Sequence, residues 1–484
     1  MTAALPPAVL RSVLSALMLA ILLGALDQTI VAVSLPAISA QFNDVGLLAW
    51  VISGYMVAMT VAVPIYGKLG DLYGRRRMIL TGTAVFTLAS IGCALAQNME
   101  QLVLARVLQG IGAGGMVSVS QAIIGDFVPP RERGRYQGYF SSMYALASVA
   151  GPVLGGWLTA YLSWRWVFWI NLPLGVCAWW VIRRALQGMP VRRRQAQVDY
   201  LGALLLTVGL GSLLLGITLV GQGAAWTAPA VLVLFGCAAL GVSLFIAHER
   251  RCPEPLLPLK LFGNRVAVLC WCVIFFASFQ SISLTMLMPL RLQSITGAGA
   301  DSAALHLLPL AMGLPLGAFT GGRLTSLTGR YKPQILAGAV LMPLAIVGMA
   351  LTAPQSVWLS GAFMLLTGIA CGLQFPTSLV GTQSAVDIKD IGVATSTTNL
   401  FRSLGGAMGV ACMSSLLLAL LEVGGLHSVG NPLLGSLQGS VADASNQAHL
   451  TQTFSYLLLA SAGVAVLGLV AALVLPDRQL RGHD

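Results

Sequence analysis

Charge is what this chain has least of. Only 9% of its 484 residues are Asp, Glu, Lys or Arg, against about 25% in soluble domains. So little charge cannot clothe a water-facing surface, which excludes an ordinary soluble enzyme or binding domain. The longest polar stretch, about 424–452, has the length of a loop, so no separate soluble domain is expected. A disulfide framework is missing too: of the eight cysteines, all but Cys252 lie in apolar stretches, and Cys270 and Cys272 point to different sides of one helix. There is no phosphate-binding glycine loop, no metal-ligand cluster and no nucleophile constellation. These absences leave no sign of ATP use or of an enzyme, and neither a metal nor an organic cofactor is expected.

What the chain has is long hydrophobic runs, with 57% of residues apolar. Fourteen runs stand near 12–36, 47–66, 78–96, 101–125, 136–163, 166–182, 200–220, 226–247, 266–290, 303–322, 333–353, 357–386, 391–421 and 454–475. At about 17 residues or more, each suffices to cross the ~30 Å hydrocarbon core as a helix. The first is too long, and too poor in a cleavage site, to be a removable signal peptide. Of 27 Lys and Arg, all but Arg106, Arg165, Arg291 and Arg402 fall in the tails and in alternate loops on one side. The positive-inside rule then makes both termini cytoplasmic. The formal net charge of +11 is therefore topology, with the lipid bilayer as partner and no nucleic acid.

One loop is written twice. Gly67-Lys68-Leu69-Gly70-Asp71-Leu72-Tyr73-Gly74-Arg75 returns as Gly322-Arg323-Leu324-Thr325-Ser326-Leu327-Thr328-Gly329-Arg330. Further pairs follow in order: Leu35-Pro36 with Met288-Pro289, the run Gly110 to Gly114 with Gly368 to Gly372, and Gly151 to Gly155 with Gly405 to Gly409. Parallel repeats of this kind build transporters that rock around a central site. The expected fold is an all-α integral membrane protein of 14 transmembrane helices. It has a first six-helix bundle over 1–186, an inserted pair (spans 7 and 8) with its flanking loops over 187–263, and a second six-helix bundle over 264–484.

Asp27 is the one carboxylate well inside a span, among sixteen acidic residues. It lies roughly 22 Å along the first helix at ~1.5 Å per residue. Arg106, early in the fourth span, occupies the same outer half of the bilayer. A lone charge in lipid costs at least a few kcal/mol, so the two are expected to pair or be neutralised. Either they form a permanent strut, or Asp27 carries a proton, since burial favours the neutral acid and a guanidinium the carboxylate. Gln109, one turn from Arg106, either orients it or lines a cavity. The repeat sets Gln280 opposite Asp27 and Met364 opposite Arg106, which confines proton chemistry to the first half. Arg402, mid-span with no carboxylate in its half, binds carbonyls, water or an anionic substrate. Gln28, Gln374 and Phe375 complete the candidates for a substrate cavity with Gln109, Gln280 and Arg402. Trp164, Trp166 and Trp169 read as interfacial anchors. His306 and His427 read as solvated groups near the outer surface.

The first-half loop, Leu104-Ala105-Arg106-Val107-Leu108-Gln109-Gly110 and Gly151-Pro152-Val153-Leu154-Gly155-Gly156 resemble the signature motifs of the major facilitator superfamily. Leu26 to Ile30, Trp164 to Asn171 and the fourteen spans resemble its drug:proton antiporter-2 branch. The resemblance implies export of hydrophobic or cationic drugs and related small molecules from the cytoplasm in exchange for protons, across a bacterial inner membrane. Efflux partners in the periplasm or outer membrane are compatible with it. It also implies roles: Gly67, Asp71, Gly74 and Arg75 as a charge latch on the cytoplasmic side, and Gly151, Pro152, Gly155 and Gly156 as a groove at the interface between halves. Two departures stand out. Ala147 replaces a motif glycine, and Ser326 stands where the first loop has Asp71, so the two gates are electrically unequal. The competing readings are a dedicated exporter of one metabolite and a non-transporting membrane sensor.

Overall fold

The computed structural model describes residues 7–42, 47–187, 199–252, 255–297, 305–353, 356–423, 444–477 and 479–480. Fourteen helices of 20 or more residues dominate them. The first six are α1 (Pro7–Phe42), α2 (Leu48–Tyr73), α3 (Arg75–Leu95), α4 (Met99–Phe127), α5 (Pro130–Tyr161) and α6 (Trp166–Ala185). An inserted pair follows, α7 (Tyr200–Gly221) and α8 (Pro229–Glu249). The last six are α9 (Arg265–Thr296), α10 (Leu308–Thr328), α11 (Lys332–Leu351), α12 (Val357–Ala385), α13 (Ile391–Val423) and α14 (Ala444–Val474). Each expected span meets one of them.

Thirteen are long and apolar enough to cross a membrane. The exception, α10, carries Arg323, Thr320, Thr325 and Thr328; it packs on α5 and α12 and leaves Met312, Leu316 and Leu327 exposed. Elsewhere apolar side chains point outward, as at Leu88, Leu104, Val233 and Leu344, each more than 60% exposed. So much outward apolar surface fits contact with lipid, not water.

Side-chain caps start several helices: Asn98 accepts from the Gln101 amide, Asp199 from Gly202, and Asn264 from Val266 and Ala267. The two repeated loops are turned by glycine at equivalent places. Gly74 has φ 93° and Gly329 φ 68°, conformations that L side chains resist.

The packing repeats with a shift of eight helices. In the first half α1 lies on α5 and α6, α2 on α4, and α3 on α4 and α6; in the second α9 lies on α13 and α14, α10 on α12, and α11 on α12 and α14. Glycines set the closeness. Gly155 meets the backbone of Ile30 in α1, and Gly405 and Gly409 meet Phe275 and Phe279 in α9. The halves touch along two seams, α5 against α10 and α2 against α13. The inserted helix α7 leans on α2 and α13, the second of these seams.

One end of the bundle carries the basic loops, and there the halves close. Gly134 of α5 abuts Gly322 of α10 backbone to backbone, and Gly67 of α2 abuts Gly392 and Ser396 of α13. Among the described residues, every hydrogen bond between the halves lies in the part of the bundle nearer this face. Arg131 donates to the carbonyls of Ser326 (2.7 Å) and Leu327 (2.9 Å), and Gln121 accepts from Asn399 (2.6 Å) and Gln383 (3.4 Å).

Candidate functional site

A closed polar core occupies the first half. Asp27 on α1 and Arg106 on α4 are fully buried, with Arg106 Nη1 2.5 Å from Asp27 Oδ2. The other carboxylate oxygen, Oδ1, accepts from Gln109 Nε2 (2.9 Å) and from Asn171 Nδ2 of α6 (2.7 Å). Arg106 has further partners: Nη1 also donates to Gln109 Oε1 (2.8 Å), Nε donates to the Val51 carbonyl (3.1 Å), and the Tyr55 ring lies 4.1 Å from its Cζ. Ser90 of α3 ties the set together, accepting from Gln109 and Asn171 while donating to the Phe168 carbonyl. Five helices thus converge on one carboxylate. Three donors to a buried anion satisfy it, and removing one partner of such a pair costs about 3–5 kcal/mol.

The expected pairing of Asp27 with Arg106 is present in this geometry. Gln109 stands beside it as an orienting group, not on a cavity wall. In the second half, the residue opposite Asp27 makes a neutral contact instead: Gln280 donates to the Ser461 carbonyl (2.9 Å) and accepts from the Ser461 hydroxyl.

On the basic face, Asp71 and Arg75 form an ion pair one helical turn apart, and Arg75 also donates from Nε to Asp126 (2.9 Å) and from Nη1 to the Gly67 carbonyl (3.2 Å). A Cβ on Gly392 would stand 2.7 Å from the Asp71 carboxylate, so this anion faces the first turn of α13, the positive end of that helix. The second copy is wired differently. Ser326 gives its backbone carbonyl to Arg131, and Arg330 pairs with Asp477 of the tail (3.4 Å).

The glycine groove of α5 is seated elsewhere than expected. Gly151 packs on Thr29 and Gly155 on Ile30, while a Cβ on Gly156 would stand 4.0 Å from Val33, so its occupant is α1 of the same half and not the second half. Thr29 also donates to the Ala147 carbonyl (2.9 Å). The reason is steric. Glycine at 151 and 155 lets the α1 backbone come close, and the branched Thr29 and Ile30 fill the space. Pro152 sits on the exposed side of the same helix, which runs on through it.

The cavity candidates do not gather. Gln280 is enclosed between α9 and α14, and Gln374 is buried against Gly338 of α11, donating to its own helix at Ala370 (3.1 Å). Gln28 is half-buried and donates to Met59 Sδ (3.4 Å). Arg402 and Phe375 do meet: the guanidinium lies 5.6 Å from the Phe375 ring and 5.7 Å from that of Tyr144, which comes from the first half.

Trp164 is no membrane anchor. It is buried and donates to Gln41, while Arg165 covers its ring at 4.5 Å and donates to Gln41 and the Ala96 carbonyl. Trp166 is exposed and Trp169 half-buried. Partial burial holds His306, just ahead of α10, below the ordinary histidine range, which favours its neutral form. His427 and Arg192 to Arg194 lie outside the described residues. Sequence reasoning gave no role to Ser90, Tyr55 or Asn171; a polar Asn inside an apolar run was the available signal. It also saw no metal-ligand cluster, yet Asp199, His248 and Cys252 bring one donor atom each within 4.8 Å of one another where α7 begins and α8 ends. There His248 Nε2 and Asp199 Oδ1 are 2.8 Å apart.

Comparisons agree with this architecture. The profile of the Major Facilitator Superfamily matches residues 17–410. The multidrug transporter protein MdtP of Bacillus subtilis is 34% identical over 84% of this chain and 74% of its own length. The multidrug resistance protein 3 of the same organism is 32% identical over 84% and 79%. Among solved structures, the human organic anion transporter MFSD10 shares the fold with a TM-score of 0.65 at 16% identity, covering 95% of this chain and 100% of that one.

Proposed function

The chain belongs to the Major Facilitator Superfamily and is a membrane transporter rather than an enzyme, and from that premise we propose that it exports hydrophobic small molecules, drugs among them, in exchange for protons. The basic face is then cytoplasmic, with both termini on that side. The closed contacts at Gly134–Gly322 and Arg131–Ser326 make the described state one that is shut toward the cytoplasm. Bundles 1–186 and 264–484 rock against each other, with 187–263 as the inserted pair.

The observation that carries this reading is the Asp27–Arg106 core, whose second-half counterpart is neutral. Asp27 is the proton carrier. As an anion it holds Arg106, Gln109 and Asn171; protonated, it loses the Coulombic attraction and surrenders an acceptor site. Thr29 and Ile30 follow within one turn and are seated on α5, so a shift of α1 moves α5. The far end of α5 carries Arg131 and Gly134, two of the contacts that close the cytoplasmic face. Energy is sufficient: one charge crossing about 100 mV yields roughly 2.3 kcal/mol before any pH gradient.

Proteoliposomes with a pH-sensitive dye test the proposal, screened with cationic dyes, neutral drugs and anions. Wild type is expected to move protons when substrate is added, and Asp27→Asn to lose this coupling. The double variant Asp27→Asn/Arg106→Gln should regain thermal stability, because the unpaired buried cation is gone, yet stay uncoupled. Normal coupled export by the double variant would remove Asp27 from the mechanism. Silence from wild type with all three probe classes would remove antiport.

A further inference from the structure

Three arginines lie inside the spans or at an outer end, and their surroundings differ. Arg106 has a carboxylate, a glutamine and a carbonyl. Arg291, buried within the second half, donates to the carbonyls of Met349 (2.9 Å) and Thr352 (2.7 Å). Arg402 has neither: among the described residues it forms no ion pair and no hydrogen bond, and it is only half-buried. Its guanidinium lies between two aromatic rings, Tyr144 of α5 and Phe375 of α12, at 5.7 and 5.6 Å.

Those rings come from opposite halves, so the guanidinium stands where the two bundles face each other. That is where a rocking transporter holds its substrate. A guanidinium at this depth is costly, and cation–π contact at such distances returns only about 0.5–2 kcal/mol. The missing counter-charge is the decisive feature. Among the described residues no carboxylate pairs with Arg402: Glu132 is exposed at the basic end of α5, and others are engaged elsewhere. Asp27 is enclosed and saturated by Arg106, Gln109 and Asn171, while Asp71 and Asp126 are paired with Arg75 at the basic face. Asp390 pairs with Lys260. Between the halves, then, the Arg402 guanidinium has aromatic flanks and, among the described residues, no paired anion.

We propose that Arg402, Tyr144 and Phe375 form the substrate's head-group site, and that the preferred cargo is an amphipathic organic anion: a carboxylate or sulfonate on a planar apolar body. The guanidinium takes the anionic group, bidentate where the group offers two oxygens. The rings pack on the apolar body. This names the substrate class of the export reading above and rests on it; cationic drugs, the class suggested by the sequence resemblance, become the disfavoured ligands.

The test is equilibrium binding, without any gradient, to the purified full-length protein in nanodiscs. The probes share one fluorophore and differ in charge: dansylglycine (anion), dansylamide (neutral) and dansylcadaverine (cation). Wild type is expected to bind dansylglycine at least ~10-fold more tightly than dansylcadaverine, equivalent to about 1.4 kcal/mol. Arg402→Gln should abolish or invert that preference, Arg402→Lys should keep most of it, and Phe375→Leu should weaken all three probes alike. Gel filtration and thermal melting confirm that each variant is folded. Should Arg402→Gln fail this check, the Lys and Leu variants still decide the matter. Equal or tighter binding of the cation by wild type overturns the proposal, as does an unchanged preference in Arg402→Gln. Because no proton movement is read, failure here leaves the role of Asp27 standing, and failure of the coupling assay leaves this preference standing.

Discussion

Gly322→Ala offers a direct test of how the basic face is closed. A Cβ on Gly322 would overlap the Gly134 carbonyl oxygen and stand 3.1 Å from the Arg135 amide. Gly134 is backbone too, so no side-chain rotation can relieve the clash. Ordinary contact begins near 3.4 Å, and α5 and α10 must part by about 1 Å to reach it. Overpacking of this kind costs about 1–3 kcal/mol. The penalty falls only on the state in which these helices touch, so it acts as a bias of about 5- to 150-fold toward the state open at the basic face. The parting also stretches the bonds from Arg131 to Ser326 and Leu327, which adds to the same side. Spin labels placed at the basic ends of α5 and α10 would report the result as a growing long-distance population in pulsed dipolar spectroscopy. Export should slow, because the state closed to the cytoplasm is harder to reach. An unchanged distance distribution in a folded Gly322→Ala protein would refute the idea that this backbone contact closes the gate.

Two further outcomes are expected. Asp71→Asn keeps the shape of the latch but removes the anion that faces the first turn of α13, an interaction worth up to ~2 kcal/mol when partly buried; turnover should fall several-fold with substrate Kd within about twofold, and an unaltered rate would count against the latch. Asn171→Leu deletes one donor to the Asp27 carboxylate and one to Ser90, and a hydrogen bond to a charged group is worth about 1.5–3 kcal/mol; its melting temperature in detergent should drop, whereas no change would mean that Asn171 does not brace the core.

Sequence reading reached far into this fold because lipid leaves few choices. A run of apolar residues must be helical in hydrocarbon, since every backbone group needs an internal partner, and basic residues mark one side. Only α10 strays from that signal, its apolar run being diluted by Arg323, glycines, prolines and threonines. Asp27 and Arg106 were legible because ionised groups inside a span are conspicuous. Neutral polar residues are not. Asn171 and Ser90 read like many others in the chain, and only the convergence of α1, α3, α4 and α6 reveals their partners. For the same reason Gln280 and Gln374 were misplaced: a lone glutamine does not say which face of its helix meets the cleft. Trp164 failed similarly, because an indole at a span's end serves equally as an anchor in lipid or as a donor to Gln41. The glycine groove was recognised, but its occupant, α1, is set by how the helices assemble.

The pair α7 and α8 breaks the symmetry of the two halves. Because α7 rests on α2 and α13, one boundary between the bundles is buttressed against the lipid, while among the described residues neither inserted helix rests on the α5–α10 boundary. The two flanks of the molecule therefore present different walls to the bilayer. A solute diffusing sideways out of the membrane meets an extra barrier on one flank only, which gives the transporter a left and a right.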